Sequence, residues 1–206
     1  GPTSAFKDVA LSMLPRLITA AREKCGVSDE ILILTATSGD TGKAALEGFH
    51  DVPGVRICVF YPHGGVSQVQ RAQMVTQEGG NVTVCAVEGN FDDAQSAVKS
   101  IFTDKALEKE LDEKGFQFSS ANSINIGRLV PQIVYYFWAY LNAVKLGEIK
   151  AGEELNFTVP TGNFGDILAG WYAMKMGLPV GHFVCASNDN KVLYHFFRNR
   201  QQFLST

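Results

Sequence analysis

Ser38-Gly39-Asp40-Thr41, within ILILTATSGDTGKAALEGF (31–49), places hydroxyls, a carboxylate and a glycine turn between an apolar β-branched run and a helix-like segment. A Gly-Lys pair follows, yet the spacing is not that of a phosphate loop. Gly39 and Gly42 stand too close together, and Ala44 rather than Ser or Thr follows Lys43. What remains is a row of backbone N–H groups at a helix start, which suits a small anion. An ordinary turn with a helix cap uses the same residue types. A second turn repeats the plan: Thr161-Gly162-Asn163-Phe164-Gly165-Asp166 follows an apolar run that ends at Pro160. Its two glycines let the backbone fold close and expose successive N–H groups. No Lys or Arg stands in this turn, as befits a cofactor phosphate held by N–H groups rather than a phosphoryl group in transfer. The plain alternative is a tight turn with Asp166 as a first-turn acid.

Lys7, in GPTSAFKDVALSML, follows Phe6 and opens an apolar helical pattern. A cation there opposes the helix dipole, and partial burial disfavours the ammonium, so both effects lower its pKa and favour a nucleophilic amine. A surface lysine is the alternative. A further cluster, SSANSINIGR (119–128), sets Asn122 and Ser123 before a long helical pattern and Arg128 in its early turns. Helical side chains lean toward the N-terminus, so Arg128 can reach back to an anion; otherwise Asn122 or Ser123 is a cap and Arg128 is solvated or paired. A nucleophilic amine, a phosphate nest and an anion loop together are the equipment of an enzyme using pyridoxal 5′-phosphate. His50, His63, His182 and His195 show no metal-ligand spacing.

These sites require strands that end at turns and helices that begin there. Apolar runs at 31–36, 55–60, 82–87, 155–160 and 182–186 alternate with helical patterns, which predicts an α/β fold, three-layer αβα with mainly parallel sheets. INIGRLVPQIVYYFWAYLNAVKLG (124–147) is apolar nearly all round and predicts a buried helix, while a first helix is expected over about 8–24. Pro15 and Pro131 should each kink these helices or start a new turn. The charge-rich stretch 104–123 reads as a boundary between two βα units.

With 206 residues and a net charge of −3, the chain can bury an ordinary core, and it shows no basic stripe for nucleic acid or acidic lipid. The start GPTSAFKD has no signal-peptide pattern and no apolar run is long enough to span a membrane, so cytoplasm is the expected compartment. Cys25, Cys58, Cys85 and Cys185 lack C-x-x-C spacing and are expected as reduced core residues.

GPTSAFKD, ATSGDTGKAALEGF, YPHGGVSQVQRAQM, NSINIGRLVPQIVYYF and VPTGNFGDILAGWYAMKMGLP, in that order, closely resemble the threonine synthases, fold-type-II pyridoxal-phosphate enzymes of the tryptophan synthase β family. The resemblance runs over essentially the whole chain. It implies that Lys7, in the F-K-D motif, carries the cofactor and acts as acid and base. It further implies that Gly162, Asn163, Phe164 and Asp166 hold the cofactor phosphate, with Gly165 giving the bend. Ser38, Gly39, Asp40 and Thr41 would receive the substrate carboxylate, and Asn122, Ser123 and Arg128 the substrate phosphate. The implied reaction converts O-phospho-L-homoserine and water to L-threonine and phosphate by γ-elimination and β-addition. A related phospholyase giving a keto acid, or a fragment that only binds cofactor or phosphate, are the alternatives. Family members have further regions on both sides, so the chain reads as a central fragment, incomplete at both ends and by itself expected to show at most trace activity. Residues 1–123 are expected as a smaller unit with the lysine and carboxylate loop, and 124–206 as part of a larger unit with the cofactor-phosphate loop. The oligomeric state stays open.

Overall fold

The computed structural model describes residues 1–122, 125–160, 164–189, 191 and 194–196. Two compact units divide the chain, Gly1–Pro131 and Gln132–Thr206. The first holds a four-stranded parallel sheet in the order β3-β2-β1-β4, built from β1 (Glu30–Ala36), β2 (Val55–Pro62), β3 (Val82–Val87) and β4 (Phe116–Ser120). Ile33 lies opposite Ile57, and Leu32 opposite Phe118. Successive side chains of a strand point to opposite faces, and in β1 both faces are used. Ile33 packs with Leu11 and Leu14 of α1 (Asp8–Lys24), Leu46 and Phe49 of α2 (Asp40–Phe49), and Met74 of α3 (Gln68–Val75). Leu34 and Ala36 pack on the other face with Ala94 and Val98 of α4 (Phe91–Thr103). A strand covered on both sides needs no polar face, which is why residues 31–34 of β1 are all apolar.

The stretch 104–123 is not the boundary its charge suggests. It forms the solvent-facing helix α5 (Lys105–Glu113) and the edge strand β4, whose Phe116 and Phe118 alternate with exposed Gln117. The break in packing falls after Pro131, because the short helix α6 (Ile126–Leu129) packs on α1, where any side chain at Gly127 would overlap Leu14.

The second unit pairs β5 (Leu155–Pro160) with β6 (Val180–Ala186), again in parallel. Phe157 and Phe183 face each other across this pair, and Tyr136 of α7 (Ile133–Lys145) lies edge-on to both, with ring centroids 5.0 and 6.0 Å away. Gly170 of α8 (Gly165–Lys175) makes room for this cluster, since a Cβ there would meet both Tyr136 and Phe183.

The long apolar segment meets one expectation and departs from another. As predicted, Pro131 interrupts it: a 3-10 turn over Val130–Gln132 separates α6 from α7, proline being unable to donate within a helix. But α7 is not a buried helix. Tyr136 and Tyr140, four residues apart, form its buried side, whereas Val134, Trp138 and Leu141 are exposed. One packed face is all that a two-stranded sheet and one neighbouring helix cover. In the first unit α1 stays helical through Pro15.

All four cysteines are free thiols, as expected, but none is fully buried: Cys25 and Cys185 are exposed, Cys85 is half-buried, and half-buried Cys58 packs against the core on one face of the sheet. Burial and the nearby Cys85 push the Cys58 thiol up to about 12, which leaves it unreactive at neutral pH.

Candidate active site

Lys7 is the residue from which α1 starts: its carbonyl accepts the N–H of Leu11 at 2.9 Å, and Asp8 is the first helical residue. Asp8 is 4% exposed and fixes the preceding turn by accepting the Thr3 N–H at 2.9 Å and the Thr3 hydroxyl. The Lys7 side chain is 19% exposed, with Nζ 4.0 Å from Asp40 Oδ2 and 5.3 Å from the centre of the Phe6 ring. Burial holds its pKa below the ordinary lysine value; Asp40 opposes that effect and Arg128 adds to it. The direction agrees with the expectation drawn from the helix start, and burial leads the causes.

The loop of Ser38, Gly39, Asp40 and Thr41 begins where β1 ends. Thr37, fully buried, keeps pairing with β2 through its N–H to the Phe60 carbonyl, 2.9 Å. Its hydroxyl oxygen accepts the N–H of Gly39 at 3.0 Å and of Gly42 at 2.9 Å, which folds the loop back onto the start of α2. The N–H groups of Asp40 and Thr41 have no partner among the described residues. Ser38 and Asp40 are exposed around buried Gly39. Gly39 has φ 148°, a conformation L side chains rarely adopt, and a Cβ there would fall 2.4 Å from the Gln70 amide nitrogen. The backbone conformation calls for glycine, and any side chain here would also displace the Gln70 amide.

Gln70 donates from Nε2 to Asp40 Oδ1 at 2.8 Å and accepts the Ser67 N–H at 3.2 Å, closing a capping box at the start of α3. It was not among the expected site residues. The Ser67-to-Gln70 spacing is a recognisable cap signal, but its reach to Asp40 depends on how α3 meets α2.

Asn122 ties the ends of two strands together: its Nδ2 donates to the Ala36 carbonyl at 2.9 Å and its N–H to Ser120 Oγ at 3.1 Å. Ser123 lies outside the described residues. The cap of α6 is Asn125, which accepts the Gly127 N–H at 2.9 Å, rather than Asn122 or Ser123. Arg128 is buried, not solvated; Nη1 donates to the Ala121 carbonyl at 3.1 Å and the charge acts on Lys7. Thus Lys7, Asp40 and Arg128 share one neighbourhood at the carboxyl edge of the first unit's sheet, where ligands of open α/β sheets bind.

In the second unit Thr161, Gly162 and Asn163 lie outside the described residues. Phe164 precedes α8 with φ 59° and no side-chain cap, so among the described residues of this turn Phe164 is left-handed and Gly165, the residue expected to give the bend, is not. A Cβ on Gly165 would meet only ordinary contact distance. Among the described residues no partner takes the N–H of Gly165, Asp166 or Ile167, a helix start of the kind that holds anions. Tyr136 OH donates to the Asp166 carbonyl at 2.8 Å and lies 3.1 Å from Oδ1. Burial raises the Asp166 pKa, and the hydrogen bond from Tyr136 opposes the rise. Burial and Asp166 raise that of Tyr136, which keeps it a donor. No local signal singles out Tyr136 among the aromatic residues of YYFWAY. Among the described residues no helix is long and apolar enough to cross a membrane.

The pattern of the family described as pyridoxal-phosphate dependent enzyme matches residues 1–205. Threonine synthase of Pseudomonas aeruginosa is 47% identical over 196 residues, covering 95% of this chain and 39% of its own length. Human threonine synthase-like 1 is 44% identical over 204 residues, covering 96% of this chain and 27% of its own. The crystal structure of pyridoxal-phosphate-bound threonine synthase from Brucella melitensis superposes with a TM-score of 0.83 at 43% identity, over 96% of this chain and 40% of that one. The chain therefore spans about two-fifths or less of these proteins.

Proposed function

The chain belongs to the pyridoxal-phosphate dependent enzymes, and we propose that it carries the cofactor lysine and anion-binding turns of a threonine synthase, converting O-phospho-L-homoserine and water to L-threonine and phosphate. The observation that supports this most is the half-buried Lys7 amine, whose charged form burial disfavours, 4.0 Å from Asp40 Oδ2 and under the charge of Arg128 at the edge of the sheet. A neutral amine is the form that bonds to an aldehyde, so Lys7 fits a cofactor with that group.

When bound, pyridoxal phosphate supplies an electron-poor ring that stabilises negative charge on the substrate carbon. The chain's own residues then divide the remaining work. Lys7 Nζ bears the cofactor and moves protons between Cα and Cβ of the substrate. The substrate carboxylate is assigned to Ser38, Gly39, Asp40 and Thr41, where two N–H groups have no partner among the described residues. The substrate phosphate is assigned to Asn122, Ser123 and Arg128, whose guanidinium is already desolvated and so interacts strongly with an anion. The cofactor phosphate is assigned to Gly162, Asn163, Phe164, Gly165 and Asp166. The compartment proposed is the cytoplasm.

Replacing the matching residues of the Pseudomonas aeruginosa threonine synthase by this chain tests the assignment. Fed O-phosphohomoserine, the chimera should release phosphate and form threonine, and Lys7→Ala should abolish both while leaving the protein folded. A keto acid in place of threonine would point to a phospholyase. A folded, cofactor-loaded chimera that releases no phosphate would overturn the proposal.

A further inference from the structure

Asp40 sits in the first turn of α2 with a side chain that is 58% exposed. An aspartate there has free backbone N–H groups close by and a favourable helix dipole, so nothing local points its carboxylate at Lys7. The neighbour that restrains it is Gln70. A glutamine amide has an acceptor end and a donor end, and the Ser67 N–H occupies the acceptor Oε1 at 3.2 Å, which fixes the donor Nε2 toward Asp40. Gly39 admits the amide, since a Cβ would leave 2.4 Å to Nε2. One carboxylate oxygen is then bound to Gln70 at 2.8 Å and the other stands 4.0 Å from Lys7 Nζ.

We propose that Gln70 is a positioning residue: its amide turns the Asp40 carboxylate toward Lys7 and so sets the charge balance of that amine before a cofactor is bound. Among the described residues the charged groups that act on Lys7 are Asp40 from α2 and Arg128 from α6, while Asp8, next in the chain, has its carboxylate engaged by Thr3. With Asp40 released, burial and Arg128 act on Lys7 without their counterweight. The consequence for cofactor attachment rests on the function proposed above. The hydrogen-bonded arrangement does not.

The test is an NMR titration of Lys7 in the cofactor-free chain with selectively labelled lysine, its signal identified by loss in Lys7→Arg. Gln70→Met should lower the titration midpoint by about half a pH unit, the size of one exposed charge pair at this separation. Asp40→Asn should lower it at least as far, and adding Gln70→Met to Asp40→Asn should do nothing more. Ser67→Ala removes the helix cap but keeps the donor to Asp40, so it should reduce stability without moving the midpoint. An unchanged midpoint in Gln70→Met, an additive double variant, or an equal shift in Ser67→Ala would overturn the proposal. Because no cofactor is present, these outcomes are read whether or not Lys7 proves to be the cofactor amine.

Discussion

Lys7 is an amine held in a setting that disfavours its charged form. Burial lowers its pKa from the ordinary value of 10.5, Arg128 lowers it further, and Asp40 opposes both. The unfolded chain therefore binds more protons than the folded one between the depressed pKa and 10.5. Stability rises with pH across that window. Below it the folded protein bears the full penalty of a half-buried ammonium. Lys7→Met, which keeps the apolar stem and removes the charge, should raise the thermal midpoint at pH 7, and the gain should shrink toward pH 10. A variant that is less stable than the parent at pH 7, or a difference independent of pH, would contradict this origin. Such a gain is the usual sign of a residue kept for chemistry rather than stability. The lysine itself was legible, because an apolar helix start implies burial. The shares of Arg128 and Gln70 were not, since each depends on a helix distant in sequence folding back onto the same edge.

Strands and helices that alternate their apolar residues cleanly were legible as elements: β1, β2, β3, β5 and β6 fall on the five apolar runs. The missed strand, β4, is short, at an edge and half polar, and charged α5 before it dominates the composition. The all-round apolar α7 shows the opposite failure. Composition implied burial, but burial depends on how many neighbours arrive, and the elements of its own unit cover one side. On that side Tyr136 joins α7 to the start of α8 through its hydroxyl. Tyr136→Phe keeps the ring cluster and removes only this donor, so it should cost about 1–2 kcal/mol in denaturant unfolding. Because Tyr136 counteracts the burial-driven rise of the Asp166 pKa, the deficit should be largest at neutral pH, where the acid tends to ionise. It should shrink as pH falls and the acid is protonated. Equal deficits at both pH values would show that the hydroxyl serves the backbone carbonyl alone.

At the scale of the molecule, the two units carry different equipment. Gly1–Pro131 holds the Lys7 amine, the loop around Gly39 and the buried Arg128, and Gln132–Thr206 holds the turn that opens α8. The fold class was legible because alternation of strand and helix leaves few topologies once both faces of a parallel sheet must be covered. The expected division near 123 reflected a change in composition. The packing divides after Pro131, where the helical run is broken. The assignments with the firmest chemical basis come from motifs whose residue types are forced, such as Gly39, while the turn proposed for the cofactor phosphate falls partly outside the described residues.

The central claim is that Lys7 is the residue that bears pyridoxal phosphate. Borohydride trapping tests it most directly: the chain is mixed with a small excess of pyridoxal phosphate, reduced, digested and mapped by mass spectrometry, beside a Lys7→Ala control. The expected result is one dominant modified peptide containing Lys7, absent from the control. Label on Lys43, or label spread over the surface lysines equally in both proteins, would contradict it.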